Sequence, residues 1–127
     1  MSVRILLVAG RERRGDQVRK VIDDLKAFGI EAELCSDFLE FGSVWQEGKF
    51  AVALIDLDNV IYGGYDPFTH FEDIISSIPS VFLSERGNLE KWARAMESGA
   101  VSFVTRPFHT QALSRFILRI INQHINK

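Results

Sequence analysis

Phe50-Ala51-Val52-Ala53-Leu54-Ile55-Asp56 is the stretch that decides the fold. Its apolar run is too short for a buried helix, and it suits a strand covered on both faces. Asp56 closes it with a carboxylate. Upstream, Ile5-Leu6-Leu7-Val8 is a second run of the same kind. A polar turn from Gly10 to Gly15 follows it, and then Val18, Val21, Ile22, Leu25 and Phe28 recur on one helical face, with Gly29 as the stop. Ile30 to Cys35 alternates as a half-covered strand would. Asp37 can cap a short helix carrying Phe38, Phe41, Val44 and Trp45, ended by Gly48.

Downstream of Asp56 the alternation continues. Asp58 to Pro67, with Gly63-Gly64, reads as a loop, and Phe68, Phe71, Ile74 and Ile75 give another helical face. Pro79 introduces the strand Val81-Phe82-Leu83. Leu89, Trp92, Ala93 and Met96 predict a helix stopped at Ser98-Gly99, and Val101 to Val104 predict a fifth strand. Leu113, Phe116, Ile117, Ile120, Ile121 and His124 mark a long final helix. The order βαβαβαβαβα implies one parallel sheet of five strands with helices on both faces, a three-layer α/β/α domain.

Composition narrows the function classes. The 127 residues suit one domain; 46% are hydrophobic, enough to supply a core, and 25% are charged. Fifteen Lys+Arg against seventeen Asp+Glu give a net charge of −2, so no overall basic field draws in nucleic acid. The single cysteine, Cys35, has no disulfide partner within the chain, and the scattered His70, His109 and His124 form no zinc motif. No apolar run approaches the roughly 18 residues of a membrane span, and Met1-Ser2-Val3-Arg4 lacks a signal-peptide pattern. The expectation is a cytoplasmic domain.

In a parallel α/β sheet, chemistry sits beyond the carboxyl ends of the strands. There the loops present Ala9-Gly10-Arg11-Glu12, Asp56-Leu57-Asp58, Ser84-Glu85-Arg86 and Thr105-Arg106-Pro107-Phe108. A carboxylate to accept a phosphoryl group, a hydroxyl to bond its oxygens and a cation to neutralise them make a phosphoryl site.

These segments resemble the CheY-like receiver domain of two-component response regulators over the whole chain. ILLVAGRE is similar to the opening strand, VALIDLD to the strand ending at the phosphorylated aspartate, and VFLSE to the strand ending at the switch hydroxyl. GAVSFVTRPF is similar to the segment carrying the switch aromatic and the site lysine. The resemblance implies a flavodoxin-like (βα)5 doubly wound sheet, Asp56 as the phosphoacceptor position, Ser84 and Phe103 as switch residues, and Arg106 in the lysine position. Gly64 falls where the family usually has glycine.

The departures bear on function. The receiver's acidic pair falls on Ala9 and Gly10, whose side chains offer a hard cation nothing. Asp56, the backbone of Asp58 and a reach from Glu12 would be all that remained to hold Mg²⁺. Arg106 is a planar fork where a compact ammonium is expected. Glu85 adds an anion beside the switch hydroxyl, and Val60 stands where proline is common. Paired with Arg106 or Arg11, Asp56 would hold the domain in one switch state without phosphate.

The reading is an atypical receiver-like module, a pseudo-receiver with weak or no Mg²⁺-dependent phosphorylation. It would regulate a partner or output domain by protein contacts, as the N-terminal part of a longer regulator. Its enzymatic activity would extend at most to self-phosphorylation and autodephosphorylation at Asp56. Partners would be a histidine kinase, an output domain or a second copy, the last through Trp92 and the final helix, with no direct contact to nucleic acid or membrane. One alternative is a working phosphoacceptor, phosphorylated on Asp56 by a histidine kinase. Another is an anionic-ligand sensor for a nucleotide, with Arg11 and Arg13 as contacts; Gly10 to Gly15 has the glycine spacing of a phosphate loop without its Lys-Ser/Thr.

Overall fold

The computed structural model describes residues 3–9, 17–35, 44–46, 48–57, 72–85 and 89–125. Strands β1 (Val3–Val8), β2 (Ile30–Cys35), β3 (Val52–Asp56), β4 (Ser80–Glu85) and β5 (Ser102–Arg106) form one sheet. All pairs are parallel, in the order β2-β1-β3-β4-β5. Helices α1 (Gln17–Lys26), α2 (Glu72–Ser77), α3 (Leu89–Glu97) and α4 (Thr110–Ile125) connect or follow them. The sequence-predicted short helix around Phe38 and Phe41, the loop from Asp58 to Pro67, and Phe68 and Phe71 lie largely outside the described residues.

The two faces of the sheet carry separate apolar layers. Ile5, Leu7, Val52, Leu54, Val81 and Leu83 meet Val18, Val21 and Leu25 of α1 and Leu113, Ile117, Ile120 and Ile121 of α4. Leu6, Val8, Ala53, Ile55 and Phe82 meet Ile74 and Ile75 of α2 and Ala95 of α3. Every residue of β3 is buried, which its continuous apolar run requires. Cys35 is buried at the end of β2.

Two apolar faces depart from the periodicity. Helix α1 ends at Lys26; Phe28 then sits in a turn, with its N–H donating to the Leu25 carbonyl. Gly29 adopts φ +80°, a conformation that β-carbon sterics disfavour for other residues. Phe28 is therefore turned out and 68% exposed instead of extending the buried face. On α3 only Ala95 is buried, while Leu89, Trp92 and Met96 are exposed, and Val101 just before β5 joins them. Strand β5 begins at Ser102, one residue later than predicted, and runs on to Arg106.

Towards the amino ends of the strands, Glu33 bridges two cations. It accepts from Arg4 Nη1 at 2.5 Å and faces Lys49 Nζ at 3.0 Å. Lys49 also lies 5.4 Å from the centre of the Phe50 ring, which stacks on Trp45. The hydrogen bond from Lys49 above all, with Arg4 adding to it, lowers the Glu33 carboxyl against its partial desolvation. A carboxyl lowered on folding contributes stability above its ordinary range and loses it as pH falls through the lowered value. Urea unfolding at pH 7 and at pH ~3 should show Glu33→Gln losing about 1 kcal/mol at the higher pH and little at the lower, the size expected of a partly exposed pair. Equal loss at both values would exclude the ion pair as the cause.

Candidate functional site

Strand order reverses between β1 and β3, so the crevice beyond their carboxyl ends is the natural place for a site. Val8 pairs with Ile55, and one step further Ala9 and Asp56 stand at the same level. Ala9 is buried, and its N–H donates to the Cys35 carbonyl at 3.1 Å. On the other side Asp56 pairs with Leu83, which sets Ser84 one residue beyond it. Ser84 in turn pairs with Thr105, and Glu85 with Arg106.

Arg106 closes the arrangement. From the end of β5 it reaches over β4 to β3, two strand spacings or roughly 9.6 Å of sheet. Nη1 donates to Asp56 Oδ1 at 3.1 Å and Nη2 to Oδ2 at 2.6 Å. Asp56 is fully buried and Arg106 is 14% exposed. The fork therefore addresses both carboxylate oxygens, which a lysine ammonium, as a point donor, would not do in this geometry. Hydrogen bonds involving charged groups contribute about 1.5–3 kcal/mol each.

The residues after Arg106 are anchored one by one. Phe108 packs into the α1–α4 layer, and its N–H donates to Gln17 Oε1 at 3.0 Å while the Gln17 amide donates to its carbonyl. His109 precedes α4, and its Nδ1 accepts the Ala112 N–H at 3.2 Å, a side-chain cap of the first turn. Gln17 was not legible as a site residue, because its partner is a main-chain group 91 positions away.

The structure thus brings Asp56, Ser84 and Arg106 to adjacent strand ends. Phe103, level with Phe82, is partly buried against the layer that holds α2 and α3. Gly10, Arg11, Glu12, Arg13, Asp58, Val60 and Gly64 lie outside the described residues, as does the side chain of Glu85. The described residues do not fit a Mg²⁺ site: Ala9 supplies a methyl group, and both Asp56 oxygens already accept from Arg106. Among the described residues no group of three His, Cys, Asp or Glu side chains could hold a metal ion.

The strand order and the five-stranded parallel sheet are those of the receiver fold, and the likeness read from the sequence holds in three dimensions. The structure of a two-component response regulator from Clostridium difficile superposes with a TM-score of 0.77 at 19% identity, covering 97% of this chain and 98% of that one. Among curated proteins, the response regulator protein GraR of Staphylococcus haemolyticus is 26% identical over 113 residues, 87% of this chain and 48% of GraR. The uncharacterized transcriptional regulatory protein YvcP of Bacillus subtilis is 24% identical over 120 residues, 94% of this chain and 49% of YvcP. The chain spans about half the length of these curated relatives. No family model matches it. Among the described residues no helix is long and apolar enough to cross a membrane.

Proposed function

We propose that the chain is the receiver-type module of a two-component regulator in which an internal ion pair takes the place of the metal and phosphoryl chemistry. The observation that carries this reading is the bidentate Arg106–Asp56 pair. For Asp56 to attack phosphorus, one of its oxygens must leave Arg106, and the incoming phosphoryl group would need cations to balance its charge. With Ala9 where a carboxylate would help hold Mg²⁺, that balance falls short by several kcal/mol. The pair keeps Asp56 neutralised and the end of β5 tied to β3, one switch state held without modification.

Output would then run through protein contacts. Trp92 is 49% exposed, and Leu89, Met96 and Val101 are exposed large apolar side chains as well, the residue types that a protein partner would cover. A second copy or an output domain would cover them, with a histidine kinase as upstream partner; transcription is the output by analogy with YvcP. The module would be a regulator and not an enzyme. Incubation with acetyl phosphate and Mg²⁺, read by intact mass, should leave the protein unmodified. A stable adduct lost in Asp56→Asn would instead support the working phosphoacceptor.

A further inference from the structure

We propose that Gln17 is a positioning residue for Arg106, coupling the first turn of α1 to the Arg106–Asp56 pair. The inference rests on the reading above and adds the element that regulates the pair.

Arg106 is the last residue of an edge strand. Its backbone is held on the β4 side, where Glu85 is its partner, and among the described residues no strand lies on the other side of β5. Pro107, which follows, has no N–H to donate. The next residue able to fix the path of the chain through both its main-chain groups is Phe108, and both engage one side chain: Phe108 N–H donates to Gln17 Oε1, and the Gln17 Nε2 amide donates to Phe108 O. A primary carboxamide is the side chain that can donate and accept side by side in this way, much as a paired backbone does. The Phe108 ring and the His109 cap set where α4 begins. The carboxamide sets the direction in which the two residues before Phe108 approach β3.

A guanidinium fork tolerates little misdirection, because two parallel hydrogen bonds to one carboxylate fix both its distance and its plane. Loss of the Gln17 clamp lets the Arg106–Phe108 segment swing about its remaining anchors, and the fork falls back to one bond or none. Gln17 opens α1, and residues 10–16 join it to the end of β1. Whatever displaces the first turn of α1 is thereby reported to Asp56 without touching it.

The test is ¹⁵N–¹H NMR of the Arg106 guanidinium together with amide hydrogen exchange of Phe108, in wild type, Gln17→Ala and Gln17→Glu. In wild type the Arg106 Nη signals should be resolved, and Asp56→Asn should collapse them. In Gln17→Ala the Phe108 amide should exchange about tenfold faster, one hydrogen bond lost, and the Arg106 signals should broaden or average. Gln17→Glu at neutral pH keeps an acceptor for the Phe108 N–H, so that amide should stay protected, but a carboxylate without a donor faces the Phe108 carbonyl, and the Arg106 signals should broaden as in the alanine variant. On acidification the protonated acid again donates and accepts, and the Arg106 signature should return; the alanine variant should show no such rescue. Faster Phe108 exchange with Arg106 signals unchanged would overturn the proposal and leave the ion pair standing. Averaged Arg106 signals in wild type, unmoved by Asp56→Asn, would overturn the ion-pair reading and the role of Gln17 with it.

Discussion

Arg106→Met should lower the free energy of unfolding by about 3–5 kcal/mol, because it leaves the Asp56 carboxylate buried without its cation. Asp56 is fully enclosed and Arg106 nearly so, so solvent cannot take over the lost hydrogen bonds as it would at a surface pair. The companion experiment is the double variant Asp56→Asn with Arg106→Met. Removing both charges should recover most of the loss, since a buried pair matters chiefly through what its rupture leaves behind. Urea melts of the four proteins complete a double-mutant cycle, and the coupling term should exceed about 1.5 kcal/mol. Arg106→Lys should fall between wild type and methionine, since the charge is retained and the fork is not. A loss below about 1 kcal/mol in Arg106→Met would mean that the pair contributes no more than a surface contact.

The second large effect is a gain of chemistry. Ala9→Asp and Gly10→Asp combined with Arg106→Lys should confer Mg²⁺-dependent labelling of Asp56 by acetyl phosphate. Ala9 stands level with Asp56 across β1 and β3, so an aspartate there adds hard oxygen ligands beside the acceptor. Replacing the fork frees a carboxylate oxygen to attack while keeping a cation for the phosphoryl oxygens. Restoring about 4 kcal/mol of transition-state stabilisation corresponds to roughly a thousandfold faster labelling. Without metal a carboxylate at the buried position of Ala9 should destabilise the variant, and Mg²⁺ should raise its Tm while leaving that of wild type unmoved. Wild-type labelling as fast as that of the variant would refute the account of the missing acidic pair.

How much of this was legible beforehand follows from the range of the interactions involved. Strands covered on both faces announce themselves by a continuous apolar run, and residues 52–55 of β3 and 5–8 of β1 are recognisable from that alone. The rule that chemistry gathers at strand carboxyl ends points to four loops, and within them it is the resemblance to receiver domains that singles out Asp56, Ser84 and Arg106. Periodicity was a weaker guide to the helices. It identifies apolar residues on one side of a helix but not what faces that side, so Phe28, Leu89 and Met96 fall on apolar helical faces by spacing yet stand outside the interior, while Trp92, which spacing leaves open between core and interface, is exposed. Gly29 reads as the helix stop, yet its effect on Phe28 depends on where α1 ends within a turn. Gln17 carries no signal at all in one dimension, since a carboxamide at the start of a helix is ordinary until the loop it meets is known.

The burial of the Arg106–Asp56 pair has a consequence for what the protein can sense. Mobile electrolyte ions screen charges that water reaches, over about 8–10 Å at physiological concentrations, and act far less on charges enclosed by protein. The bond at the carboxyl rim of the sheet is therefore much less sensitive to ionic strength than the half-exposed Arg4–Glu33–Lys49 cluster, which loosens as salt rises. Ionic changes in the surroundings would soften one end of the sheet far more than the other.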